Sequence, residues 1–246
     1  MKILGVIPAR YQSSRFPGKP LIDIAGKSMI QRVYEQCLKS TFLSKVIVAT
    51  DDLRIADHVH SFGGISEMTS MEHLSGTDRC AEVARKHGDF EILINIQGDE
   101  PMINPEQIDL LCGCFKTPQT SIATLVKIIR DNEELFNENT PKVILNTNKE
   151  AVFFTRAAIP FLRGIEKESW VKNYTYFKHI GIYAFRTTTL REITKLPISG
   201  LEKAEGLEQL RWIENGYSIK AAITDKESQA IDTPDDLKKL IQFLSN

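Results

Sequence analysis

The sequence contains no long hydrophobic run and no excess of either charge. No apolar stretch approaches the about 20 residues that a transmembrane helix needs, and Pro8 and Arg10 interrupt the N-terminal apolar run before it resembles a signal peptide. We therefore expect a cytoplasmic protein that does not insert into a membrane. With 31 basic and 32 acidic residues, the chain has no general attraction for nucleic acid or anionic lipid. Any anion-binding site has to be a local cluster.

Three common motifs are also missing. The four cysteines follow no disulfide or zinc spacing, so we expect buried free thiols. No G-x-G-x-x-G follows a predicted strand, which argues against a dinucleotide-dependent oxidoreductase. The triplet 26–28, Gly-Lys-Ser, resembles the end of a Walker A phosphate loop, but the first glycine of that motif would fall at Leu21.

Strand-like and helix-like segments alternate along the chain. Continuous apolar runs predict buried strands, and amphipathic segments with capping residues predict helices between them. The predicted strands are 3–7, 45–50, a short one ending near 69, 91–97, 121–129, 142–145, 152–154, 178–185 and 217–223, and the predicted helices are 29–38, 53–62, 75–86, 105–115, 190–196, 207–215 and one starting near 233. This pattern predicts one α/β domain over 1–246, with a mixed, mainly parallel sheet flanked by helices. The segment from about 130 to 205 departs from strict alternation, and we expect 131–141 to be irregular.

The loop after the first strand carries three cations and no acid. These are Arg10, Arg15 and Lys19, and Gly18 with two prolines sets the turns of the loop. An arginine fork matches paired oxygens, a lysine supplies a point charge, and a glycine lets the backbone come close to a ligand. The loop has the chemistry of a polyphosphate cradle, although a solvated basic loop has the same composition.

Carboxylates follow several predicted strands. Asp99 comes after strand 91–97 and a glycine, at the strand end where open α/β sheets bind ligands. Asp232 precedes the last helix, which Thr233 can cap without it. These two are our candidate Mg²⁺ ligands, because a triphosphate can supply the remaining oxygens. The acidic pair 51–52 is an alternative metal pair of the glycosyltransferase type, but we favour a helix N-terminus there.

Two further segments carry candidate binding residues. Ser75 begins a predicted helix whose free N–H groups, together with Arg79, suit a nucleobase or a phosphate, or simply a helix cap. In the alternating strand 178–185, His179 and Tyr183 share one face and apolar side chains occupy the other. That face lines a polar pocket or serves the structure, and with Arg156 nearby in sequence both interpretations stay open.

Together these residues indicate nucleotidyl transfer. The basic loop would bind phosphates, the separated carboxylates would hold Mg²⁺, and the His, Arg, Tyr and Gln side chains suit a polar, anionic substrate. In-line attack on an α-phosphorus requires alignment of the nucleophile and the leaving group, and neutralisation of the phosphoryl charge. We assign the catalytic roles to Arg10, Lys19, Asp99 and Asp232.

The first loop also carries a family resemblance. Its sequence, IPAR-x-x-S-S-R-F-P-G-K-P, resembles the signature loop of the sugar-activating nucleotidyltransferases. The resemblance is greatest to the 3-deoxy-manno-octulosonate (Kdo) cytidylyltransferases. Seven further segments match in the order of the family: ATDD at 49–52, SGTDR at 75–79, NIQGDEP at 95–101, FFTRAAIP at 153–160, KHIGIYAF at 178–185, LEQLRWIENG at 207–216 and IDTPDDL at 231–237. Each motif is weak alone, whereas eight in order cover nearly the whole chain.

The resemblance implies a nucleotide-diphosphosugar transferase fold of the GT-A/Rossmann-like type, a homodimer, and synthesis of CMP-Kdo and diphosphate from CTP and Kdo for lipopolysaccharide. It implies a nucleotide-binding core at about 1–129 and 206–246, and a sugar-binding and dimerisation segment at about 130–205. CTP would be held by Arg10, Ser13, Lys19, Ser75 and Arg79, with Arg15 as a further cation of the loop. Mg²⁺ would bind Asp99 and Asp232. The sugar pocket would comprise Gln97, Arg156, His179, Tyr183, Glu208 and Gln209, with Arg156 facing the sugar carboxylate.

The chain departs from the family pattern at two positions outside this chemistry. Asn146 stands where the family commonly has Asp, and Met71 replaces a proline. Three alternatives remain: a cytidylyltransferase for another acidic sugar, such as 8-amino-Kdo or sialic acid; a GT-A glycosyltransferase with a metal at 51–52; and a non-catalytic nucleotide-binding module.

Overall fold

A computed structural model describes residues 1–12, 16–227 and 229–244. Within these residues, nine strands form one sheet and two short strands form a hairpin. The strands are β1 Ile3–Ala9, β2 Asp23–Ile24, β3 Lys27–Ser28, β4 Lys45–Thr50, β5 Ser66–Met68, β6 Ile92–Asn95, β7 Ile122–Ile128, β8 Lys142–Leu145, β9 Ala151–Thr155, β10 Phe177–Arg186 and β11 Ile219–Ile223. The hairpin consists of β2 and β3.

The main sheet is mixed and mainly parallel, as predicted. Its order is β11-β7-β10-β6-β1-β4-β5, with β8 and β9 added beside β10. Strand β10 runs antiparallel to both of its neighbours on this path, and β8 runs antiparallel to β10 and to β9. The other pairs on the path are parallel. Because β1 and β6 are parallel neighbours, their carboxyl ends lie side by side. The loops after these two strands therefore meet at one edge of the sheet, where such sheets bind ligands.

Helices cover both faces of the sheet. They are α1 Met29–Cys37, α2 Leu53–Ser61, α3 Gly76–Lys86, α4 Pro105–Cys114, α5 Asn132–Phe136, α6 Trp170–Asn173, α7 Thr187–Ile193, α8 Gly200–Glu205, α9 Gln209–Glu214 and α10 Pro234–Leu244. Short 3₁₀ turns occupy Lys19–Leu21 and Lys167–Ser169. No helix in the described part of the chain is long and apolar enough to cross a membrane.

Two apolar cores lie between the helices and the sheet. Side chains of α1, α2 and α4 fill the core on one face, and those of α3, α7 and α9 fill the core on the other. The predicted free thiols are confirmed, since Cys37, Cys80 and Cys112 are buried and Cys114 is half-buried. Burial raises the pKa of the Cys37 thiol, which keeps it protonated and chemically inert.

Segment 131–141 is more regular than the sequence predicts. It contains the short helix α5, so the expectation of an irregular segment is wrong there. Asp131 caps this helix by accepting a 2.7 Å hydrogen bond from the Glu134 N–H, and Leu135 packs into a small core with Trp170 and Tyr176. Helix α8, which was not among the predicted helices, ends at Gly206 with a positive φ of 63°.

Candidate active site

Lys19 joins the two carboxylates that the sequence proposed as metal ligands. Its Nζ lies 2.8 Å from Asp99 Oδ2 and 3.2 Å from Asp232 Oδ1. Asp99 follows β6, and Asp232 reaches the same place because the Ile231 N–H donates a 2.9 Å hydrogen bond to the Asp99 carbonyl. The fold therefore brings together three charged residues from three separate parts of the chain.

These residues line an open cleft of about 350 Å³ at the ends of β1 and β6. Its lining residues are Pro8, Ala9, Arg10, Gln12, Lys19, Pro20, Gln97, Gly98, Asp99 and Asp232. Larger hollows exist elsewhere on the molecule, but this cleft combines a cationic loop with two carboxylates. Charged groups of both signs suit a metal-bound polyphosphate. Ser13 and Arg15, which the sequence assigned to CTP, lie outside the described residues.

Gly98 allows β1 and the loop after β6 to approach closely. A Cβ atom at this position would lie 2.9 Å from the Pro8 carbonyl oxygen, which is closer than side-chain carbons come to backbone. Any larger residue would push the loop, and with it Asp99, away from β1.

We expect Gly98→Ala to lower both the stability and the activity. The new methyl group has to displace backbone, and overpacking of this kind destabilises by about 1–3 kcal/mol. Gly113→Ala is the matched control, because Gly113 lies in α4 with open space around its Cβ position and alanine is the better helix former. Thermal unfolding and turnover of both variants test this. Unchanged activity of Gly98→Ala would contradict the close approach.

Arg10 is held by the loop that precedes α3. Its guanidinium donates a short hydrogen bond to the His73 carbonyl. The His73 ring nitrogen Nε2 lies 2.6 Å from Glu82 Oε2, and the Ser70 N–H donates to the same oxygen at 2.9 Å. Burial raises the pKa of Glu82, but these donors and Lys86 outweigh it and lower the pKa to about 2. Glu82 is thus an ionised anchor that positions the loop and, through it, Arg10.

Ser75 caps α3 in a capping box with Asp78. Its hydroxyl oxygen accepts a 3.1 Å hydrogen bond from the Asp78 N–H, and Asp78 accepts one from the Ser75 N–H. The cap interpretation is confirmed. Free N–H groups at this helix start remain compatible with a nucleotide ligand.

Arg79 does not line the cleft. The side chain is fully buried; its guanidinium lies 2.8 Å from Asp51 Oδ2 and also donates to the Thr69 hydroxyl. Asp52 caps α2 through a 3.0 Å hydrogen bond from the Arg54 N–H. Both members of the acidic pair 51–52 are therefore engaged by arginines, which confirms a structural role and disfavours a glycosyltransferase metal pair. A direct contact of Arg79 with CTP stays a prediction.

Of the six predicted sugar-pocket residues, His179 and Tyr183 lie on β10, and Gln97 contacts that strand. Gln97 links the cleft to β10, because its Nε2 donates a 2.7 Å hydrogen bond to the Gly181 carbonyl. A register shift between Ile180 and Tyr183 in β10 leaves Gly181 available for this contact. Glu208 lies 2.7 Å from the Thr77 hydroxyl, so α9 is tied to the start of α3. Burial raises the pKa of Glu208.

His179 and Tyr183 lie together in an aromatic cluster, with ring centroids 5.2 Å apart. The Tyr183 ring also packs edge-on against Trp212 at 5.1 Å. His179 Nε2 lies 2.9 Å from the Thr124 hydroxyl, and burial lowers the pKa of the imidazole to about 3. The ring is therefore neutral near pH 7. A neutral imidazole can form hydrogen bonds but cannot supply a positive charge.

The neutral state of His179 predicts a pH dependence of stability. The folded-state pKa lies below the ordinary value of 6.5, so the unfolded chain binds this proton more readily, and stability falls as pH drops from 6.5 towards 3. We expect His179→Gln to flatten this fall between about pH 6.5 and 5, whereas His60→Gln, at an exposed position, should leave it unchanged. Urea unfolding at several pH values measures both; a parallel loss in His179→Gln would contradict the assignment.

Arg156 is oriented by backbone carbonyls. Its Nε donates to the Glu205 carbonyl at 2.7 Å and its Nη1 to the Glu138 carbonyl at 3.0 Å. Glu205 in turn accepts a 2.9 Å hydrogen bond from the Arg156 N–H. The guanidinium is half-buried and has no carboxylate within salt-bridge distance among the described residues. Its charge therefore remains available for an anionic group.

Sequence reasoning missed Asn95, Glu82 and Thr124. Asn95 and Tyr183 are paired across β6 and β10. The buried Asn95 Oδ1 and Tyr183 hydroxyl, together with Gln209 Nε2, have no hydrogen-bond partner within the described ranges, as expected where water or substrate completes the bonding. A polar residue inside the apolar run EILINIQ was the available signal. Nothing local marked Glu82 or Thr124, because their partners lie on other elements.

Fold and cleft define a nucleotidyltransferase of the nucleotide-diphosphosugar transferase fold, and the Cytidylyltransferase family model matches residues 4–223. The chain is 55% identical, over an alignment of 251 positions, to the 3-deoxy-manno-octulosonate cytidylyltransferase of Parabacteroides distasonis, with 100% of this chain and 99% of the relative covered. Identity to the enzyme of the same name from Bacteroides thetaiotaomicron is 56%, with the same coverage. The chain belongs to the 3-deoxy-manno-octulosonate cytidylyltransferase family.

A solved structure supports the same assignment. A CMP:2-keto-3-deoxy-manno-octonic acid synthetase complexed with CTP matches with a TM-score of 0.92 and 43% identity, covering 100% of this chain and 99% of the other. A 4-diphosphocytidyl-2C-methyl-D-erythritol synthase from Anaerococcus prevotii matches with a TM-score of 0.65 at 12% identity, and covers 100% and 97%. The second likeness shows the fold alone.

Proposed function

We propose that this cytidylyltransferase transfers the CMP group of CTP to Kdo. The anomeric hydroxyl oxygen of the sugar forms a bond to the α-phosphorus, the bond from that phosphorus to the β-phosphate bridging oxygen breaks, and the hydroxyl proton is released. The observation that carries the proposal is the meeting of Lys19, Asp99 and Asp232 at the cleft. The names of the close relatives support the choice of sugar and nucleotide.

Asp99 and Asp232 would hold Mg²⁺. Their carboxylate oxygens already converge on one cation, the Lys19 ammonium, and oxygen is the donor that Mg²⁺ prefers. A triphosphate and water would supply the remaining oxygens of the metal shell. When bound, Mg²⁺ would neutralise charge on the phosphoryl oxygens.

The protein's own groups would bind and orient the two substrates. Arg10 and Lys19 line the cleft and would neutralise the phosphates and the departing diphosphate. The neutral His179 and the buried Tyr183 and Gln209 would bind sugar hydroxyls. Homodimerisation, a cytoplasmic location and a role in lipopolysaccharide synthesis stay predictions.

Arg156 would pair with the sugar carboxylate, so we expect Arg156→Ala to raise the KM for Kdo with little change in the KM for CTP. A charge-assisted hydrogen bond of this kind contributes about 1.5–3 kcal/mol, which corresponds to roughly 10- to 150-fold in KM. Arg163→Ala is the matched control, because it removes an exposed guanidinium from the same segment of the chain. An unchanged KM for Kdo would contradict the pairing.

The reaction is tested by diphosphate release with CTP and Mg²⁺. The panel of acceptors contains Kdo, 8-amino-Kdo and sialic acid, with UTP as the control nucleotide and Asp99→Asn as the control protein. We expect release with CTP and Kdo that disappears in the variant. Release only with another acidic sugar would keep the mechanism and change the substrate. No release with any acceptor would refute the proposed function.

A further inference from the structure

The Lys19 ammonium stands between the same two carboxylates that the proposed function assigns to Mg²⁺. Only 14% of the Lys19 side chain is exposed, against 28% for Asp99 and 40% for Asp232. A partly buried ion pair of this kind is screened less by salt than a surface pair. A divalent cation that binds both carboxylates would therefore compete with the ammonium for the same position.

The backbone around Lys19 is anchored, so that its long side chain is the part free to move. The Gly18 N–H donates a 2.9 Å hydrogen bond to the Tyr11 carbonyl, and the Ile22 N–H donates one of 3.2 Å to the Lys19 carbonyl. Pro20 is buried. Rotation about the side-chain bonds of Lys19 can carry the ammonium away from the carboxylates, within a cleft that Arg10 also lines, without any change of the fold.

We propose that Lys19 is a placeholder for the metal ion. Before the nucleotide arrives, the ammonium neutralises Asp99 and Asp232 and excludes a divalent cation from them. A triphosphate gives the ammonium a new anionic partner, so that the carboxylates become available to Mg²⁺ when CTP enters. Metal and nucleotide then bind cooperatively. CTP draws the ammonium away from the carboxylates that the metal needs, and the metal releases the ammonium for the phosphates of CTP. This inference rests on the metal site of the proposed function.

Thermodynamic linkage requires that the effect of CTP on metal binding equals the effect of the metal on CTP binding. If CTP releases Lys19 from the carboxylates, it raises the affinity for the metal, and the metal raises the affinity for CTP by the same factor. Typical coupling between two ligands corresponds to about 5- to 150-fold in affinity. A metal site with no placeholder would already bind divalent ions in the nucleotide-free protein.

The test measures Mn²⁺ binding to the nucleotide-free protein by electron paramagnetic resonance of the free ion. We expect Lys19→Met to bind Mn²⁺ at least about five-fold more tightly than the unmodified protein, because methionine fills similar volume without the charge. Lys19→Arg, which keeps the charge, should bind Mn²⁺ as weakly as the unmodified protein. Equal or weaker Mn²⁺ binding by Lys19→Met would overturn the inference.

A double variant separates this inference from the proposed function. In Lys19→Met, the further change Asp99→Asn should abolish the gain in Mn²⁺ affinity. If the gain persists, Mn²⁺ is bound elsewhere, and both the metal site of the proposed function and the placeholder fail. If Asp99→Asn lowers the Mn²⁺ affinity but Lys19→Met never raised it, the metal site stands and the placeholder alone is refuted. Circular dichroism of each variant confirms that it is folded.

Discussion

Asp99→Asn and Asp232→Asn should each reduce turnover by about 10²–10³-fold, the effect of removing one electrostatic stabiliser of a transition state. Asparagine keeps the size of the side chain but not the charge that holds a divalent cation. Both carboxylates lie at the open cleft and are partly exposed, so the protein should stay folded. Diphosphate release at saturating CTP and Kdo measures the loss.

The matched control is Asp109→Asn. Asp109 is half-buried, accepts hydrogen bonds from Ser40 and Thr41 and does not line the cleft, so its replacement should leave turnover nearly unchanged. If either cleft variant keeps most of its Mg²⁺-dependent activity, the assignment of that residue to the metal is wrong.

Arg79→Met should destabilise the protein by about 3–5 kcal/mol, which is the usual loss when one partner of a buried ion pair is removed. The guanidinium is fully buried, and Asp51 would keep its charge without its closest cation. A second change, Asp51→Leu, removes that charge and should restore much of the stability, because an apolar pair often replaces a buried ion pair without loss. Urea unfolding of the single and double variants measures both effects.

The same double variant decides whether Arg79 also contacts CTP. If its role is to anchor α3 against β4, the double variant should bind CTP with near-normal affinity once stability returns. If the guanidinium touches the nucleotide, the CTP affinity should stay low although the protein is stable. An equally large destabilisation of Arg79→Met and the double variant would contradict the ion-pair explanation.

Local sequence patterns predicted most helices and strands. Strand β4 and helix α3 have clear boundaries in the sequence, because continuous β-branched residues mark one and a serine cap marks the other. Helix α5 was missed, since a single turn has little periodicity, and its stability comes from Leu135 packing against distant aromatic rings. The antiparallel direction of β10 was not predicted either, because strand pairing depends on contacts far apart in sequence.

For the site, the sequence identified the chemical groups but not their partners. Asp99 was recognised because it follows a strand, at the sheet edge where ligands bind. Asp232 was recognised because it precedes the last helix, which Thr233 can cap without it. By contrast, Arg79 and Arg10 looked equivalent as phosphate-binding cations. The structure places Arg10 at the cleft and buries Arg79 against Asp51, a difference that depends on which elements pack over each side chain.

The sequence by itself determined the α/β class, the caps of α3 and α10, and the cationic loop with its two separated carboxylates, because periodicity and residue chemistry are local properties. Only the tertiary structure decided that Lys19 bridges Asp99 and Asp232, residues 80 and 213 positions away. It also decided that His179 is neutral and that Glu82 positions Arg10. Burial and charge pairing depend on how distant elements pack, and that information exists only once the chain has folded.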